Sequence, residues 1–203
     1  MEIDDIKQRF IKSLERFLQD DKYLLEKAVS ERAMTHKLAE HLQVNFPDHN
    51  VDCEYNRNRN KPKELQFRFN KALLSEVEKL IARADQYAAE LKKTESEYES
   101  LEDPLPPFST YPDIIVHTRG NNHPDNILII EVKKHNAGTD DDLNFDFAKL
   151  EAFTSDDGLN PYGYLLGIHL ILFCRSDAER APEVRYFMCG KLCRDSQQLP
   201  KLN

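Results

Sequence analysis

The sequence predicts an α/β protein built on a mixed sheet, its elements ordered helix, three strands, helix, two strands. Three observations predict it. Apolar residues recur at helical spacing through the first 44 residues. Two apolar runs, 111–117 and 126–133, flank a short polar turn. A third apolar run, Tyr162 to Phe173, follows an amphipathic stretch. Strands and helices mixed in this way bury their apolar faces by layering helices on a sheet. At 203 residues the chain is long enough for one sizeable core with an insertion, so 1–203 reads as a single domain.

The N-terminal helices are expected over residues 3–44. The first carries Ile6, Phe10, Phe17 and Leu18 on one stripe; the second, Asp21 to Val44, carries Leu24, Ala28, Leu38 and Leu42. Glu31 falls on that second stripe. A carboxylate there is costly unless a metal or another cation meets it, which makes Glu31 a candidate site residue; a one-residue slip of the helix face would instead place it in water. A first strand is expected over Asn50 to Tyr55.

Beyond it the chain has no Gly or Pro from Lys63 through Asp103. Leu73, Val77, Leu80, Ala84, Tyr87, Leu91, Thr94, Tyr98 and Leu101 alternate steps of four and three. That is a heptad seam, and it predicts a long inserted helix over about 64–102. Two partners are open to the seam: its twin in a homodimer, or the first N-terminal helix. Pro104, Pro106 and Pro107 then end the helix and lead into the next strand.

The two central strands are Tyr111 to His117 and Asn126 to Lys133, with Gly120 marking the turn between them. Alternation puts Glu131 and Lys133 on one face of their strand, while Val132 points the other way into the core. A polar loop, Lys134 to Asp142, precedes a helix from Leu143 to Phe153. The buried strand Tyr162 to Phe173 and a short last strand, Val184 to Met188, complete the order.

Asp113, Glu131 and Lys133 carry the chemistry of this pattern. Two carboxylates at the ends of adjacent strands form an oxygen half-shell suited to a hard cation such as Mg²⁺ or Mn²⁺. Such a cation acidifies bound water and neutralises a scissile phosphate, and an adjacent lysine can orient the water or stabilise the transition state. A Pro-Asp on one strand (Pro112, Asp113) followed by Glu-x-Lys on the next (Glu131, Lys133) resembles the PD-(D/E)xK nuclease superfamily. The resemblance covers most of residues 21 to 190 and implies a restriction-endonuclease-like αβββαβ core. It implies that Asp113 and Glu131 bind the metal, that the Val132 carbonyl adds a ligand, and that Lys133 positions water. Glu31, on the helix before the first core strand, would be the further acidic ligand or a water-mediated metal contact. Lys149, in the helix after Glu-x-Lys, is open to two readings: it points back to the site and meets substrate phosphate, or, as is more common for such a lysine, it is simply solvated. No Gln-x-x-x-Tyr element of the kind that marks one exonuclease branch follows Lys133, and no ATP-binding motif is present.

Net charge is −8, so binding a polyanion requires a local basic surface. Arg57, Arg59, Lys61, Lys63 and Arg68, interleaved with Asn56, Asn58 and Asn60, are the candidates; the same composition also suits a solvated connection. Lys134 and His135 adjoin the Glu-x-Lys strand and are further candidate contacts. The acidic groups Asp20-Asp21, Asp140 to Asp142 and Asp156-Asp157 read as helix N-terminal or loop residues. His117 lies on the Asp113 face of its strand and is open to a groove role, although a polar surface position near the strand end is the simpler reading.

Cys53, Cys174, Cys189 and Cys193 lack zinc-knuckle spacing and read as reduced thiols. The acidic N-terminus carries no signal-peptide pattern and no apolar run reaches membrane-spanning length, so a cytoplasmic protein is expected. Two functions of different class follow: a metal-dependent nuclease acting on DNA, or a nuclease-fold module that binds nucleic acid or assembles through the long helix without efficient cleavage.

Overall fold

The computed structural model describes residues 1–58, 61–68, 73, 76, 77, 104, 105, 107–120, 126–135, 137 and 139–193. Helices α1 (Ile3–Asp20), α2 (Lys22–Glu26) and α3 (Glu31–Asn45) lead into β1 (Asn50–Cys53). Two short hairpin strands, β2 (Arg57–Asn58) and β3 (Lys61–Pro62), precede β4 (Glu64–Leu65), which pairs with β5 (Phe108–Ser109). The remaining strands are β6 (Ile114–His117), β7 (Asn126–Lys134), β8 (Leu166–Leu172), β9 (Glu183–Met188) and β10 (Lys191–Leu192), with α4 (Asp140–Thr154) between β7 and β8. The protein is thus mixed α/β.

One six-stranded sheet runs in the order β1, β6, β7, β8, β9, β10. Its pairs are antiparallel except β7 with β8, which are parallel because α4 carries the chain back across the sheet. Alternation divides the core in two. Ile114, Val116, Leu128, Ile130, Val132, Ile168 and Leu170 face the apolar stripes of α1 and α3, including Ile6, Phe10, Phe17 and Leu38. Ile115, Ile129 and Phe187 face the other way, against Leu150 and Phe153 of α4. Gly167 lets that helix come close, since a Cβ there would lie 3.1 Å from both Thr154 Cγ2 and Phe187 Cβ. The close seat of α4 on this face brings its polar residues over β7.

The second N-terminal helix is not continuous from Asp21 to Val44. It ends at Glu26, Ala28 takes a positive φ of 48°, and Ser30 restarts it by accepting the Ala33 N–H. Glu31 therefore occupies the first turn of α3 and not the middle of an apolar stripe, and Ala28 does not continue that stripe. A serine N-cap with a glutamate in the first turn is a helix-start pattern, and it outweighs the periodicity that runs through it.

The expected start of the long helix near residue 64 is also displaced. Tyr162 Oη donates to Glu64 O at 2.7 Å and accepts from Glu64 N at 2.8 Å, while the Asn160 amide bonds both Gln66 N and Gln66 O at 2.9 Å. These bonds hold 64–66 extended, although its residues alone favour helix. Leu73, Glu76 and Val77 are helical, and Val77 is buried with Leu65, Phe67 and Leu105 in the α4-side core, against which Leu73 also packs. The rest of the heptad seam lies outside the described residues. Among the described residues no helix is long and apolar enough to cross a membrane, and Cys53, Cys174 and Cys189 are free thiols.

Candidate active site

The β6–β7 register pairs Ile114 with Ile130 and Ile115 with Ile129, so one step further sets Asp113 against Glu131. Both project toward the α4 side of the sheet, and Lys133 follows Glu131 on that face. Asp113 Oδ2 accepts the Val132 N–H at 2.7 Å, which fixes the carboxylate between the strands. Glu131 is 2 % exposed. Its Oε2 lies 2.9 Å from Lys149 Nζ, whereas Oε1 is buried without a hydrogen-bond partner among the described residues.

Helix α4 brings two side chains over these strands. Thr139 and Asp142 form a reciprocal cap at its start, so the Asp140 to Asp142 run serves as a helix N-terminus. One turn on, Asp146 is buried at 3 % exposure. Its Oδ1 is 2.8 Å from Lys149 Nζ and its Oδ2 is 3.1 Å from Lys133 Nζ. Asp146 thus bridges the two lysines.

Glu31 reaches the same cluster from the other side of the sheet, around the end of β7. Its Oε2 accepts the Lys134 N–H at 3.1 Å and its Oε1 is 3.9 Å from Lys133 Nζ. The structure accordingly brings together Glu31, Asp113, Glu131, Lys133 and Lys149 as the sequence suggests, and adds Asp146. A carboxylate three residues before Lys149 on one helix face was the available signal, because i,i+3 pairs meet on a helix.

Burial sets the electrostatics here. Loss of water pushes Glu131 above the ordinary carboxylate range, opposed by Lys149, the ammonium it pairs with, and reinforced by Asp113 and Asp146. Burial also raises Asp113, against the Val132 N–H, Lys133 and Lys149. For Lys149 burial works downward, yet Glu131 and Asp146 outweigh it and hold the ammonium well above the ordinary lysine range. Lys133 is likewise raised: burial lowers it, but Asp146, Glu131 and Glu31 outweigh that loss. Both lysines are cations at neutral pH.

His169, paired in register with Glu131 on β8, is fully buried. Neither ring nitrogen has a hydrogen-bond partner among the described residues, and Phe147 meets the ring edge-on at 5.1 Å. Burial lowers it to about 4, with Asp146 opposing and Arg185, Lys133 and Lys149 assisting. Periodicity alone did not mark it, because a lone histidine in an apolar strand gives no spacing signal.

Other expected contacts are dispersed. Arg57 is exposed on β2, Lys61 lies in the facing strand β3, and Arg59 is outside the described residues. Lys63 does not join a solvated basic surface: it is 1 % exposed, stacked near the Tyr55 and Tyr164 rings, and lowered to about 8 chiefly by burial. Lys134 Nζ donates to Val29 O at 3.4 Å. His117 is not a surface residue either. It is 5 % exposed, and its Nε2 lies 2.8 Å from Asp52 Oδ2, with Arg119 closing the same carboxylate from outside.

Among the described residues no three His, Cys, Asp or Glu side chains are grouped as a ready metal shell. The oxygen ligands nonetheless suit a hard cation: Asp113 and Glu131 face each other, and the buried Glu131 Oε1 is an acceptor without a donor among the described residues, a state that costs about 1–3 kcal/mol. No family model matches the chain, and comparison with curated proteins and with solved structures gave no match.

Proposed function

We propose that this chain is a metal-dependent nuclease that hydrolyses phosphodiester bonds of DNA, using the PD-(D/E)xK arrangement its sequence resembles. The observation that carries the reading is the opposition of Asp113 and Glu131 across β6 and β7, with Lys133 on the same face. The finer fold reading draws support from the sheet: a helix, three antiparallel strands, a helical crossover and a parallel fourth strand follow the order of an αβββαβ core.

In this reading Asp113, Glu131 and the Val132 carbonyl hold Mg²⁺ or Mn²⁺, which when bound neutralises phosphate charge and acidifies a water. Lys133, kept protonated between Asp146 and Glu31, donates to the attacking water or to the phosphoryl oxygens as negative charge develops there. Glu31 holds the end of β7 through the Lys134 N–H and offers an outer carboxylate for a water-mediated metal contact. Arg57, Arg59, Lys61 and Lys134 supply phosphate contacts, and Lys149 supplies positive charge within the site. Pairing of the long helix in a homodimer would set two sites in fixed relation, as cutting both strands of a duplex requires. A cytoplasmic role in restriction or defence against foreign DNA suits such an enzyme.

A second reading has its own support. Glu131 is already engaged by Lys149 and Asp113 by the Val132 N–H, as in a nuclease-fold module that binds nucleic acid or partners without cutting. Incubating supercoiled plasmid, single-stranded DNA and RNA with the protein, in Mg²⁺, Mn²⁺ or EDTA, separates the two. The nuclease reading expects metal-dependent products that Asp113→Ala and Lys133→Ala both abolish; intact substrates under every condition would favour the module.

A further inference from the structure

Counted with every carboxylate ionised, the charges gathered between α4, β7 and Glu31 do not balance. Asp113, Glu131, Asp146 and Glu31 are four carboxylates around the ammonium groups of Lys133 and Lys149. The formal deficit is the charge of one divalent cation. Lys149 stands where that deficit is sharpest, 2.9 Å from Glu131 Oε2 and 2.8 Å from Asp146 Oδ1, with its side chain only 12 % exposed. An ammonium is a compact point charge on a flexible stem, and three rotatable donors let it change partners without a fixed fork geometry.

From this geometry we infer that Lys149 is an exchangeable internal counter-cation. It neutralises Glu131 in the metal-free protein, and it withdraws to Asp146 when a divalent cation takes over that carboxylate. The inference rests on the metal-dependent nuclease reading and adds to it a competition between two cations for one carboxylate. Asp146 is the positioning residue of the exchange. It already touches Lys149, it also holds Lys133, and its near-complete burial keeps it close to both. Glu131 Oε1, which has no hydrogen-bond partner among the described residues, gives the incoming cation a first oxygen before Lys149 leaves Oε2.

The test is calorimetric titration of the EDTA-treated full chain with Mn²⁺ and with Mg²⁺, comparing wild type, Lys149→Met, Asp146→Asn and Glu131→Gln. Removing the competing ammonium should tighten metal binding about tenfold, while removing its alternative seat should weaken binding several-fold. Equal or weaker binding by Lys149→Met overturns the exchange. Should that variant not fold, the wild-type protein decides through NMR of the Lys149 ¹⁵Nζ resonance during a Mg²⁺ titration. A shift on saturation that is missing in Glu131→Gln supports the exchange, and an unmoved resonance at calorimetric saturation overturns it. Absence of metal binding by wild type, or equal binding by Glu131→Gln, would instead bring down the metal-dependent reading on which the inference rests.

Discussion

Glu131 and Lys149 form a 2.9 Å ion pair between strand β7 and helix α4, with side chains only 2 % and 12 % exposed. The two partners differ in what else holds them. Lys149 also has Asp146, whereas Glu131 has no other cation in direct contact among the described residues. Removing Lys149 strands a buried carboxylate, and breaking buried pairs this way costs about 3–5 kcal/mol. Urea unfolding in EDTA should therefore show Lys149→Met strongly destabilised and Glu131→Gln much less so. Equal losses would contradict the asymmetry.

Lys133 has a side chain 28 % exposed and held by ion pairs, so its loss should disturb chemistry more than folding. Lys133→Met is expected to keep a melting temperature near that of wild type while kcat on cleaved DNA falls about 10²–10³-fold, the range for losing one transition-state donor. Single-turnover cleavage beside a thermal melt checks both halves.

His169 predicts a loss of stability in acid. Its folded value, about 4, lies below the ordinary 6.5, so the unfolded chain takes up a proton over a range where the folded protein resists it. The stabilisation is complete above pH 6.5 and is lost as pH falls through 4. By linkage the full loss is about 3 kcal/mol. His169→Leu should flatten this slope, gaining more over wild type at pH 5 than at pH 7.5 in chemical denaturation. Parallel pH profiles for the two proteins would contradict it.

Arg57 and Lys61 lie on the paired strands β2 and β3. If these strands meet DNA, Arg57→Ala with Lys61→Ala should weaken binding across all sequences. The slope of log affinity against log salt should fall by about one per lost phosphate contact. An unchanged slope would mark the segment as a solvated connection.

Much of this architecture is legible in the sequence wherever one local pattern dominates. The apolar run ending Glu131-Val132-Lys133 gives a strand, its pleat gives a shared face for the two charges, and the Asp113 strand beside it completes the pairing. Boundaries set by side chains from distant positions were not legible. The extended conformation at Glu64 and Gln66 depends on Tyr162 and Asn160, nearly a hundred residues away, and no window around residue 64 contains them. Glu31 reaches the site by a different route from the one its periodicity suggested. The Ser30 cap turns it into a first-turn residue, and its carboxylate bonds the end of β7 from there. Asp146 escaped notice because an aspartate on an amphipathic helix reads as solvated. Only the close seat of α4 on the sheet turns it inward.

The most direct measurement is nicking of supercoiled plasmid by wild type and by Glu131→Gln, each shown to be folded, in Mg²⁺ and in EDTA. Nicking by wild type in Mg²⁺, lost in EDTA and lost in the variant, is the predicted result. A folded wild type that leaves the plasmid intact in Mg²⁺ and in Mn²⁺, or a variant that nicks as fast as wild type, would contradict the assignment of Glu131 to a metal-dependent nuclease site.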